Sequence, residues 1–209
     1  MIRILLADDH SAIRNGLRNI ISRQLNPVEF EDAINSAEVF QKVGMAKWDL
    51  LILDINLPGR SGLDVLRFLK DAGHQVPVLV FSFHHEDQIA VRAFQSGASA
   101  YLSKNAADTE LMKAVQLLLD GKKYVSPTVS ELLVSHLNNP NGQKPHELLS
   151  NREYQTLILL GSGKQLSQIA ETLSVSVSTV NTYRARILEK MTMKSNADLI
   201  YYVVENKLI

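Results

Sequence analysis

A chain of 209 residues, 45% of them hydrophobic, holds material for one large core or two small ones, and we read two. It has no cysteine, which excludes disulfide frameworks and thiolate metal sites and suits a reducing cytoplasm. The 22 basic and 22 acidic residues cancel, 14 against 15 over residues 1–125 and 7 against 6 over 146–209, so neither part is an indiscriminate nucleic-acid magnet.

Five strand-like runs fall near residues 2–8, 28–33, 50–54, 76–81 and 99–103, separated by amphipathic stretches near 11–25, 36–44, 62–72, 86–96 and 107–120. Such βα alternation predicts an α/β fold with a doubly wound parallel sheet. Pro58-Gly59, Gly62, Gly73, Pro77 and Gly97 stand at the breaks this reading requires. No apolar run approaches the roughly 18–20 residues of a membrane span, and Asp8-Asp9 cut the first run too short for a signal peptide, so no membrane role is expected.

Beyond Gly121 the pattern changes. Ser126-Pro127 opens a short helix with Val129, Leu132, Leu133 and Leu137 on one face, and residues 138–145 (NNPNGQKP) read as a linker. The expected domains are therefore 1–125, a connecting segment 126–145, and 146–209. From Ser150 onward only helical periodicity remains. A capping box of Ser150 with Glu153 starts a helix to about Leu160, a short helix covers 166–173, a turn runs through Ser174-Val175-Ser176, and longer helices follow at 177–191 and 196–205. Short helix, turn and longer helix form the helix-turn-helix pattern.

Asp8-Asp9 close the first apolar run and Asp54 the third. On neighbouring parallel strands all three carboxylates meet at the carboxyl edge of the sheet, where open α/β folds bind ligands. Clustered like charges raise one another's pKa and call for a hard divalent cation, Mg²⁺ being the natural choice. Singly, each acid reads more readily as a turn or helix cap, and it is the trio that points to a site. His10, His84 and His85 lie near this edge without convergent spacing and are assigned no metal.

With Ser82 after the fourth strand, Tyr101 on the fifth and Lys104 just beyond it, residues 1–125 resemble the receiver domain of two-component response regulators. The resemblance implies a flavodoxin-like sheet of order 2-1-3-4-5. It makes Asp54 the phosphorylated aspartate, Lys104 the partner of a phosphoryl oxygen, Ser82 the switch hydroxyl, and Tyr101 an aromatic that rotates from solvent towards the core. Asp9, Asp54 and the Asn56 carbonyl would hold Mg²⁺, with Asp8 acting through water. The donor would be a sensor histidine kinase or phosphotransfer protein. Asn105 after Lys104 departs from the proline of many receivers, and Asn56 leaves phosphate lifetime open.

Residues 148–209 resemble the four-helix NarL/LuxR-type domain through Leu149-Ser150-Asn151-Arg152-Glu153, Gly163, Ile169-Ala170, Leu173, Ser176, Thr179-Val180 and Lys190-Met191. Val180, Ile187 and Met191 share a helical face and are expected in the core. Ser178, Asn181, Thr182 and Ala185 then lie on an opposite face open to a major groove, with Asn181 and Thr182 the candidates for base edges, Arg184, Arg186 and Lys190 for phosphates, and Thr179 a further DNA-binding candidate. Asn181 and Tyr183 replace the Lys and His common in that family, and Gln165-Leu166 its usual Ser-Asn. The last helix either packs internally or supplies a dimer contact.

Together the halves read as a phosphorylation-controlled transcription factor that binds promoter half-sites as a homodimer, by dimerisation or by unmasking. Aspartyl-nucleophile phosphatases place a second acid two residues after the nucleophile, and Asn56 stands there, so no enzyme is expected. A P-loop at Gly161-Ser162-Gly163-Lys164 lacks its Ser/Thr and its strand. A constitutive DNA binder with a vestigial receiver is disfavoured by the intact Asp8, Asp9, Asp54, Ser82 and Lys104.

Overall fold

The computed structural model describes residues 1–83, 86–138, 144–206 and 208–209. The chain divides into two compact units, 1–138 and 139–209. His84 and His85 and most of the linker, residues 139–143, lie outside the described residues.

In the first unit, β1 (Ile2–Ala7), β2 (Val28–Ala33), β3 (Leu50–Leu53), β4 (Val78–Ser82) and β5 (Ala100–Ser103) form a parallel sheet of order β2-β1-β3-β4-β5. The helices α1 (Ser11–Ser22), α2 (Ser36–Met45), α3 (Gly62–Asp71) and α4 (Glu86–Gln95) make the crossovers that parallel neighbours require, and α5 (Asp108–Leu119) follows β5 and packs back on the sheet. β3 reads Leu-Leu-Ile-Leu and every residue in it is buried, as expected of a central strand covered on both faces. Ile4, Leu6, Ile52, Leu79, Phe81 and Leu102 pack into one core with Leu17 and Ile21 of α1 and with Leu111, Met112, Val115 and Leu118 of α5. Each such side chain contributes about 1.5–3 kcal/mol by leaving water.

The helix foreseen in the connecting segment is present as α6 (Pro127–Asn138), with Ser126 Oγ accepting from the Val129 amide. It is not free linker. Val129 is fully buried and α6 packs on α4, which joins it to the first unit.

The second unit opens with a 3-10 turn (Pro145–Leu148) followed by α7 (Asn151–Gly161), α8 (Leu166–Thr172), α9 (Val177–Lys190) and α10 (Asn196–Glu205). The capping box of Ser150 and Glu153 forms as the sequence predicts. Tyr154, Leu157, Leu160, Ile169, Val180, Ile187, Met191, Leu199 and Val203 are buried. α7 meets α10 closely because residue 161 is glycine: a Cβ there would lie 2.5 Å from Val203 Cγ1. Buried His146 shares a 2.7 Å hydrogen bond between its Nδ1 and the Tyr202 hydroxyl, fastening the 3-10 turn to α10.

Thr192 ends α9 in the left-handed region at φ +56°, where a β-branched residue is strained. Thr192→Gly is expected to stabilise the second unit by about 1 kcal/mol, read as a higher urea midpoint, and an unchanged or lower midpoint would contradict the strain argument.

Candidate functional site

β1 and β3 are neighbours in a register that sets Ala7 opposite Leu53. The next residue of each strand is an aspartate, so Asp8 and Asp54 emerge side by side, each 3% exposed, and the Asp54 amide donates to the Ala7 carbonyl at 2.8 Å. Asp9 follows on the exposed rim. Lys104 reaches the same point from beyond β5, its amide donating to the Ser82 carbonyl at 2.8 Å. Its Nζ lies 2.6 Å from Asp8 Oδ2 and 2.7 Å from Asp54 Oδ2, and the side chain is fully shielded from water.

Burial pushes the Asp54 carboxyl above its ordinary value, more strongly than the Lys104 charge and hydrogen bond pull it down; the neighbouring Asp8 charge adds to the rise, and the Asn56 amide, 3.2 Å from Oδ1, opposes it. One ammonium set between two buried carboxylates, with Asp9 beside them, leaves the pocket negative. Oxygen or nitrogen atoms of Asp8, Asp9, His10 and Asp54 all lie within 4.8 Å of one another, so the donor set fits a divalent cation.

Several contributors were not legible as site residues. His10 Nδ1 lies 2.8 Å from Asp9 Oδ1 and 3.2 Å from Asp8 Oδ1, convergence that only the turn after β1 creates. Arg14 Nη1 donates to the Asp8 carbonyl at 2.6 Å, and its Nε lies 3.1 Å from Asp32 Oδ2, which ties the end of β1 to β2. The sequence carried a signal for it, since Arg14 shares a helical face with Leu17 and Ile21 and is buried with them. Gly62, read as a strand-ending breaker, permits the approach of α3: a Cβ there would lie 2.4 Å from the Asp54 carbonyl oxygen and 2.8 Å from Ile55 Cα.

Ser82 ends β4 and is fully buried. Tyr101 is also fully buried, the inward of the two positions expected of it.

A family model for the response regulator receiver domain matches residues 4–116, and one for the bacterial regulatory proteins of the luxR family matches residues 147–203. The chain is a response regulator. Its receiver precedes a LuxR-type DNA-binding domain, and the protein belongs among transcription regulators. It is 31% identical over 215 residues to the oxygen regulatory protein NreC of Staphylococcus carnosus (strain TM300), with 100% of this chain and 99% of that protein covered. The crystal structure of the response regulator ChrA of a heme-sensing two-component system is similar, at 30% identity and TM-score 0.51, covering 100% of this chain and 98% of ChrA. RcsB from Salmonella enterica serovar Typhimurium, bound to promoter rprA in the presence of phosphomimetic BeF3-, shares the fold at 21% identity and TM-score 0.63, covering 98% and 99% of the two chains.

In the luxR-family domain of this response regulator, Ser176 caps α9 by accepting from the Thr179 amide, and Thr179 Oγ1 lies 2.8 Å from the Ser176 hydroxyl. Ser178, Asn181, Thr182 and Arg186 are exposed on α9, while Val180 and Ile187 face the core. Two of the candidate phosphate contacts have partners inside the domain: Arg184 Nε donates to Asn196 Oδ1, and Lys190 Nζ donates to Glu153 Oε2 at 2.7 Å. No described helix is long and apolar enough to cross a membrane.

Proposed function

We propose that Asp54 is the phosphoryl acceptor of this response regulator and that its phosphorylation controls promoter binding by α9. The observation that carries the reading is the buried lysine bridge between Asp8 and Asp54 at the carboxyl edge of the sheet. Asp54 Oδ would attack the phosphorus of a phosphohistidine on a sensor kinase or phosphotransfer protein as the nitrogen–phosphorus bond breaks and its electron pair stays with the imidazole. Asp9, Asp54 and the Asn56 carbonyl would hold Mg²⁺, with Asp8 through water, and the ion supplies positive charge against the phosphoryl oxygens. Lys104 exchanges its Asp54 contact for one of those oxygens, and Ser82 donates its hydroxyl to another. The chain moves one phosphoryl group rather than turning over a substrate.

The exposure of Ser178, Asn181, Thr182 and Arg186 supports a reading in which the first three meet base edges and Arg186 a phosphate, with Thr179 at the helix start and Arg184 and Lys190 paired with Asn196 and Glu153. With 7 basic residues against 6 acidic over 146–209, one copy binds weakly through phosphates, and a homodimer supplies the second half-site. The face of α10 bearing exposed Ile200, Tyr201 and Val204 offers an apolar contact for that pairing. Binding to promoter DNA and phosphorylation by a kinase place the action in the cytoplasm.

Incubation with Mg²⁺ and acetyl phosphate should give one acid-stable, base-labile phosphoryl group on the natural chain, none on Asp54→Asn, and a rise in affinity for promoter DNA only in the former. Equal labelling of both proteins would overturn the assignment.

A further inference from the structure

We infer that Phe83 is a cover over the phosphoryl-acceptor site, limiting how fast water and small phosphoryl donors reach Asp54. The inference rests on the acceptor reading of Asp54. Phe83 follows Ser82 directly after β4 and is 56% exposed, so its ring lies at the surface. Its centroid lies 4.9 Å from Lys104 Nζ, whose side chain is 0% exposed although it stands at the open edge of the sheet. An ammonium there would ordinarily be hydrated. The same Nζ is 2.7 Å from Asp54 Oδ2, so the ring is one amine removed from the acceptor oxygen.

That position has two consequences. The ring's face stabilises the ammonium where water would otherwise solvate it, which strengthens the pairing of Lys104 with the carboxylates. Standing over the ammonium that touches Asp54, its bulk would narrow the access to the acceptor. In hydrolysis of the aspartyl phosphate a water oxygen bonds to phosphorus, the bond from phosphorus to the Asp54 oxygen breaks, and the carboxylate and inorganic phosphate separate as the water's proton passes to solvent. A ring beside the acceptor excludes that water, and it hinders acetyl phosphate in the same way. Because the ring is attached next to Ser82, closing of the serine onto a phosphoryl group carries the cover with it.

The test uses the full chain with Phe83→Ala, Phe83→Leu and Phe83→Trp, each followed for labelling by acetyl phosphate and Mg²⁺ and, after donor removal, for loss of the phosphoryl group. Phe83→Ala should speed both rates on the order of tenfold, with Leu between Ala and the natural chain and Trp slower than natural. A urea midpoint measured alongside separates this from loss of fold, because a purely structural role shifts stability without ordering the two rates by side-chain size. Four equal pairs of rates would overturn the cover. Absence of labelling on the natural chain would instead overturn the acceptor reading on which it rests.

Discussion

Lys104→Ala is expected to cost the first unit about 3–5 kcal/mol at neutral pH, because it leaves the carboxylates of Asp8 and Asp54 buried together without their cation. The loss differs from that of an ordinary cavity in its pH dependence. Burial already raises the Asp54 carboxyl above its ordinary value, and removing the opposing ammonium raises it further. A carboxyl with a raised folded pKa takes up a proton on folding. Stability is therefore retained below its unfolded value and lost as pH rises through the raised folded value. Urea unfolding should show a deficit that is largest near neutrality and shrinks towards about pH 4. Millimolar Mg²⁺ should restore part of it, since the same oxygens converge for a cation. A deficit independent of both pH and Mg²⁺ would mean that lost packing, not unpaired charge, explains it.

Glu153→Ala should have the second largest effect, about 2 kcal/mol on the second unit. The side chain is nearly buried, and its Oε2 accepts from both the Ser150 amide and Lys190 Nζ at 2.7 Å, so one carboxylate caps α7 and ties it to α9. Lys190 is 40% exposed and would rehydrate when abandoned, which keeps the cost below that of breaking a fully buried pair. Burial works against ionisation of Glu153, but hydrogen bonds from Lys190 and Ser150 outweigh it and hold the carboxyl below its usual range. A lowered folded pKa contributes stability that is present above the unfolded value and is lost as pH falls through the folded one. The natural chain and Glu153→Ala should therefore converge in acid, and urea titrations at several pH values check this. A gap that persists unchanged into acid would remove Glu153's charge from the explanation. Because α9 carries the proposed base contacts, the variant should also bind promoter DNA less well.

Much of this protein was legible in its sequence because the deciding signals are local. Alternating apolar runs and breakers marked five βα units, and the run Leu-Leu-Ile-Leu marked a strand that the fold buries on both faces. Asp8 and Asp54 were readable because each ends such a run. Val180, Ile187 and Met191 revealed the buried side of α9 by spacing alone. The connecting segment shows the limit. Val129 and its neighbours marked a helix, but nothing local said that its apolar face would be covered by α4 rather than left as linker.

What the sequence determined by itself, then, is the succession of elements, the sides they bury and the strand ends that bear acids, since these follow from backbone periodicity and capping over a few residues. Tertiary structure alone decided which charges meet. Lys104 finds Asp54 across 50 positions, Lys190 finds Glu153 across 37, and Phe83 lies over Lys104. The physical reason is that a charged or aromatic side chain carries no mark of its partner. Strand order and helix docking choose which one it meets, and burial then makes the choice costly to undo.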